Sequence, residues 1–157
     1  PADIDTVILT HLHFDHVEFA HKYTNAQFVV QKAELDMARN PHPILTSFYN
    51  DWSRKMWEGV DLKVVEGDNE ITDGVRVLLT PGHAVGGQSV AINTSAGTAV
   101  IPGICSVQVN YEESPIIPTG SIVNLLQIYD SMNKVFNMAD IIVTMHDEQF
   151  VTRERIP

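Results

Sequence analysis

The chain has 157 residues, enough for one domain with its own core, and 44% of them are apolar against 19% charged, a globular rather than a disordered balance. Twenty acidic residues outweigh ten basic ones, for a net charge of −10 with histidines neutral. That disfavours a protein that grips nucleic acid by a dense Lys/Arg surface, and no nucleic-acid partner is expected, although a nuclease whose metals carry the positive charge stays open.

In chain order, Thr6 to Thr10 reads as a buried strand. It runs straight into Thr10-His11-Leu12-His13-Phe14-Asp15-His16. Ala26–Val30 follows as a short strand, and Gln31–Arg39 as a helix stopped by Asn40-Pro41. A second helix is predicted from Ile44 to Trp57. Phe48, Trp52 and Met56 recur there at i, i+4 spacing, as helix packing or as the wall of an acyl pocket. Gly59 is its C-terminal stop. Strands are predicted at Leu62–Glu66, Val75–Thr80, Gln88–Asn93 and Thr98–Ile101. The last two form a hairpin around Ser95-Ala96-Gly97. Tyr111–Pro118 is a loop. Ser121 caps a helix to about Met138, with Ile122, Leu125, Leu126, Tyr129, Met132, Val135 and Phe136 as its apolar stripe. Ala139–Thr144 is a final buried strand, and His146-Asp147 follows it.

Three polar clusters therefore sit just beyond apolar runs: His11, His13, Asp15 and His16, then His83 in Thr80-Pro81-Gly82-His83, then His146. Loops at strand ends are where α/β folds keep their chemistry. Imidazoles and a carboxylate suit a borderline divalent metal, and so many of them within six residues call for a common partner. One ion would take His11, His13 and His83. A second would take Asp15, His16 and His146. Two ions could activate a water at neutral pH and polarise a carbonyl. His21 reads as a surface residue or one that supports a ligand, His42 as loop surface, and Asp147 as a group that orients a neighbour.

The His-x-His-x-Asp-His run, the later Pro-Gly-His and the terminal His-Asp, spaced by about 70 and then about 60 residues, resemble the metallo-β-lactamase superfamily. Thr80-Pro81-Gly82-His83-Ala84-Val85-Gly86-Gly87-Gln88-Ser89 is similar to a segment of its N-acyl homoserine lactonase branch. The resemblance implies an α/β (α+β) fold, an αββα sandwich in a single domain over residues 1–157, incomplete at its N-terminus. It implies one or two zinc ions, with manganese or iron as substitutes, and a metal-bound hydroxide attacking a small ester, lactone or thioester. Asp15 would be both ligand and catalytic proton carrier.

Two departures from that pattern bear on the chemistry. The bridging carboxylate that the family places about twenty residues after the third histidine is missing from Ile101-Pro102-Gly103-Ile104-Cys105-Ser106. Counting from Gly103 puts Ile104 at that place, and counting from His83 puts Cys105 there. Cys105 is thus either a thiolate ligand or a small buried hydrophobe. The family's oxyanion tyrosine is missing too, with Tyr111 the nearest. The other departure is length. The His-rich loop usually closes the first half of this fold, so a homo-oligomer or a missing N-terminal segment is expected to cover exposed strands. A non-catalytic metal-binding or assembly module of the same fold is the alternative function.

The single cysteine excludes an intrachain disulfide framework and fits a reducing cytoplasm. No run approaches the roughly 20 apolar residues of a membrane span, so no membrane partner is expected. Pro1-Ala2-Asp3-Ile4-Asp5 is not a signal peptide and lacks an initiator Met, so the chain reads as cut from a longer one.

Overall fold

The structure, a computed structural model, describes residues 1–120 and 123–151. Its chain divides into two compact units, Pro1–Glu66 and Gly67–Pro157.

The first unit is built on three parallel strands in the order β1 (Thr6–Ile8), β2 (Gln27–Gln31), β3 (Asp61–Val65). Parallel neighbours need long crossovers, and helical segments supply them. Between β1 and β2 run α1 (Phe14–Val17) and a 3₁₀ turn at Ala20–Lys22. Between β2 and β3 run α2 (Lys32–Arg39) and α3 (Asp51–Trp57). The central strand β2 is apolar on both faces, as a covered parallel strand should be: Phe28, Val29 and Val30 are all fully buried. Strand β1 is shorter than expected and only partly covered, but Leu9 N–H still donates to Val29 O at 3.0 Å. The ladder therefore carries to the doorstep of the His-rich loop.

The long helix expected from Ile44 to Trp57 is broken. A 3₁₀ turn occupies Pro43–Leu45, and α3 begins only after Asn50, whose side chain accepts from Ser53 N–H. The cause is competition for backbone groups. Phe48 O accepts from Phe14 N–H at 3.1 Å, and a carbonyl so engaged is diverted from a helical ladder. The buried face of α3 is Ser53 and Trp57 rather than Phe48, Trp52 and Met56, and Trp52 is exposed. Gly59 follows α3 with φ +92°, the left-handed stop expected of it.

In the second unit β4 (Asn69–Thr72), β5 (Val75–Leu79), β6 (Gln88–Thr94) and β7 (Gly97–Ile101) form an antiparallel meander, with β8 (Ile141–Ile142) parallel to β7. The hairpin at Ser95–Gly97 is as expected. Strand β4 was not expected, although Asp73-Gly74 before an apolar run is a hairpin signal. The final strand is only two residues long and half-buried. Val143 N–H still donates to Val100 O at 2.8 Å beyond it.

Helix α4 (Leu125–Met138) lies on this sheet. Leu78, Ala91, Val100 and Ile104 pack against Ile128, Met132 and Val135 in one core. The stripe expected on α4 is therefore rotated: Met132 and Val135 are buried, but Leu125, Leu126 and Phe136 are exposed. Two overlapping apolar stripes share this helix, and contact with the loop after β5 selects between them. Ser131 lies on the buried face because its hydroxyl donates to Pro81 O at 2.8 Å. Asn124 caps the helix by accepting from Gln127 N–H at 3.1 Å. The expected cap Ser121 and the stripe residue Ile122 lie outside the described residues. A 3₁₀ turn at Gln108–Tyr111 leads into the expected loop, and a short α5 (Glu148–Val151) follows His146.

Candidate metal centre

The first unit presents its metal-type residues on one turn of chain. Leu12 points into the core, fully buried, while His11 and His13 flank it, also buried. His13 precedes α1, and Asp15 and His16 lie within it. The ring of His11 sits edge-on to His13 at 4.5 Å between centroids and tilted against His16 at 4.0 Å. Asp15 Oδ2 is 3.4 Å from His16 Nε2. Three imidazoles and an exposed carboxylate thus crowd within one turn. That donor set fits a divalent ion of the zinc type.

The loop is held from several sides. The Thr10 hydroxyl meets His11 Nδ1 at 3.2 Å. Glu34 Oε1 accepts from Leu12 N–H at 2.9 Å and from Tyr49 O–H at 2.8 Å. Burial and the neighbouring Glu34 carboxyl push the Tyr49 phenol far above its ordinary value of 10. The Tyr49 and Phe48 rings each lie 4.9 Å from that of His13. Sequence reasoning missed Glu34, Tyr49 and Thr10. Glu34 was findable, because it shares the inner face of α2 with Leu35 and Ala38, where a carboxyl needs a reason.

The second unit presents the other candidates on three loops. His83 follows β5 in a tight turn, with Thr80 N–H donating to Gly87 O at 2.8 Å and Gly82 N–H to Ala84 O at 3.0 Å. Gly82 has φ +123°, and a side chain there would collide with the backbone of Ile128 on α4. Gly82 O accepts from Asn124 N–H at 2.9 Å. Only glycine lets the helix approach this closely. Gly103 likewise lies against the carbonyl of Gln88.

Beyond Gly103 the chain turns Ile104 into the core and Cys105 toward His83. Ile104 is fully buried, and Cys105 Sγ lies 3.0 Å from His83 Nε2. Of the two residues that counting put at the bridging place, Cys105 is the one beside a ligand-type imidazole. Tyr111 is buried, bonded to the Ser106 hydroxyl at 3.1 Å, and pushed up to about 12 by burial. It belongs to the α4 core. His146 is exposed, and its neighbour Asp147 is tied down, accepting from Gln108 N–H at 2.9 Å and from the Thr144 hydroxyl at 3.4 Å. His21 and His42 are exposed, as expected. Among the described residues no helix is long and apolar enough to cross a membrane.

A mixed α/β protein with clustered histidines after its strands defines a class, and comparison with known proteins gives its family. The profile of the metallo-beta-lactamase superfamily matches residues 1–103. The chain belongs to that superfamily. It is 33% identical over 101 residues to an N-acyl homoserine lactonase of Bacillus cereus, an alignment covering 64% of this chain and 38% of that protein. It is 27% identical over 161 aligned positions to the N-acyl homoserine lactonase AttM of Rhizobium johnstonii, covering 94% of this chain and 59% of AttM. A solved N-acyl homoserine lactone hydrolase, with N-hexanoyl-L-homoserine bound at its catalytic metal center, superposes with a TM-score of 0.74 at 27% identity. That match covers 96% of this chain and 59% of the solved one. The chain spans less than two thirds of the length of these relatives, and its fold is the mixed α/β fold of the lactonase structures.

Proposed function

We propose that this chain carries the metal-binding portion of a metal-dependent hydrolase acting on a small lactone, ester or thioester. The observation that carries the reading is the crowding of His11, His13 and His16, with Asp15 beside them. Membership of a superfamily with lactonase relatives supports it. Following the ligand order of that family, His11, His13 and His83 are assigned to one ion, and Asp15, His16 and His146 to a second. Cys105, beside His83, is assigned to the bridging place. With Nδ1 of His11 engaged by Thr10, Nε2 is the assigned ligand atom.

A bound divalent metal supplies Lewis acidity and an activated water at neutral pH. The protein's part is to hold the imidazoles oriented, and to exclude bulk water around the buried His11 and His13. The exposed Asp15 carboxylate is assigned the role of taking a proton and passing it to the leaving group. The substrate would be a small molecule and the compartment the cytoplasm, the latter resting on a single cysteine, too few for an intrachain disulfide. The test is steady-state hydrolysis of lactones and thioesters by the full chain with added Zn²⁺, Mn²⁺ or Fe²⁺. Metal-dependent turnover of at least one class is expected, and none with any metal would sink the reading.

One observation favours a second reading, a non-catalytic metal-binding module: the segment Ile101–Ser106, where the family places its bridging acid, carries no carboxylate. Elemental analysis with cobalt substitution separates the two. Two ions per chain, with a sulfur-to-cobalt charge-transfer band that Cys105→Ala abolishes, support the enzyme. Tight binding of one ion without that band and without turnover supports the module.

A further inference from the structure

We infer that Glu34 is a positioning residue, which fixes the His11–His16 loop for metal binding by receiving two hydrogen bonds on one carboxyl oxygen. This rests on the metal-centre reading above. Glu34 is fully buried on the inner face of α2, beside Leu35 and Ala38. Glutamate is almost never so placed without a compensating partner. For stability alone, an aliphatic side chain would serve that face better. What the carboxyl adds is an acceptor for Leu12 N–H and for Tyr49 O–H, both on Oε1, at 2.9 and 2.8 Å.

Leu12 is the residue between the first two histidines, so anchoring its amide sets the direction of both neighbouring side chains at once. The second donor closes the arrangement from the other side. Tyr49 orients the oxygen through its hydroxyl while its ring stands against the ring of His13. Removing the carboxyl strands a buried N–H and a buried O–H, each seeking a new partner and each adjoining a histidine. Glu34 touches neither substrate nor reacting atoms in this scheme. It acts through the backbone of Leu12.

The choice of substitution separates positioning from charge and from plain stability. In Glu34→Gln the amide oxygen can still accept both bonds, but the carboxyl is gone. In Glu34→Ala both bonds are lost. Two quantities are read on the full chain: Zn²⁺ affinity by competition with a chromophoric chelator, and exchange of the Leu12 amide by NMR in the metal-free protein. Glu34→Ala should weaken Zn²⁺ by roughly 10- to 100-fold, the usual cost of losing a group that orients a metal ligand, and should speed Leu12 exchange about as much. Glu34→Gln should stay within about threefold of the parent in both.

Unchanged affinity and exchange in a folded Glu34→Ala overturns the inference while leaving the metal centre standing. So does a Glu34→Gln as weak as Glu34→Ala, which would make charge the cause. If Glu34→Ala does not fold, Tyr49→Phe takes its place, removing one bond of the two. A severalfold faster Leu12 exchange with weaker Zn²⁺ supports the inference, and parental values overturn it. A parent that binds no Zn²⁺ fails the metal-centre reading itself, and this inference falls with it.

Discussion

Single side chains divide here by what surrounds them rather than by what they are. Two tyrosines lie near the candidate ligands in sequence or space, and both are buried with raised phenols. Tyr111 sits among Leu78, Ile128 and Met132 and titrates near 12 instead of 10. Below pH 10 folded and unfolded chains both hold its proton, and the contribution is constant. Between about pH 10 and 12 only the folded chain holds it, so stability falls as pH rises, by about 1.4 kcal/mol per pH unit for each such group. Urea unfolding between pH 9 and 11 should show that decline, and Tyr111→Phe should make it shallower. An identical slope in Tyr111→Phe would mean that the phenol is not buried as described.

Helices and strands show why some elements were legible and others were not. The alternation of Gln88–Asn93 and the turn at Ser95-Ala96-Gly97 are local signals, and the hairpin formed where they stand. Helix α4 was legible as a helix but not in its facing. Leu125, Leu126 and Phe136 carry as much apolar signal as Ile128 and Val135, and only the approach of Gly82 decides between them. The corrected facing is testable by a pair of substitutions. Ile128→Ala, at a fully buried position, should cost about 2–5 kcal/mol. Leu126→Ala, at a position 76% exposed, should stay within about 0.5 kcal/mol of the parent. Comparable losses in thermal unfolding would restore the stripe read from sequence. The break between Pro43–Leu45 and α3 was invisible for the same kind of reason. It depends on Phe14, more than thirty residues earlier, taking the carbonyl of Phe48.

At the scale of the molecule, the candidate ligand motifs were legible because chemistry concentrates such residues. Few other uses exist for His11, His13 and His16 within one turn. Their supports were not legible, since Glu34, Thr10 and Tyr49 are ordinary residues until folding brings them to the loop. A chain with net charge −10 also gains from divalent cations beyond any local geometry. Zn²⁺ at one hundred times its dissociation constant should stabilise the folded chain by about 2.7 kcal/mol per site. Chelation should lower the melting temperature accordingly, and re-addition should restore it. A melting temperature indifferent to metal would remove the centre from the folded state.

The Ser89 hydroxyl bonds Thr80 Oγ1 at 2.8 Å and accepts from Gly103 N–H at 3.0 Å. A single atom on β6 thereby clamps the loop leading to His83 and the loop leading to Cys105. The ruler that spaces sulfur from imidazole is thus strand pairing, Leu79 to Gln88 and Val90 to Ile101, and not the count of residues between them. Lengthening the hairpin tip at Ser95-Ala96-Gly97 would change the interval in the chain and leave the distance in space alone. Counting along the chain could therefore not place Cys105 beside His83, whereas the paired strands do so directly.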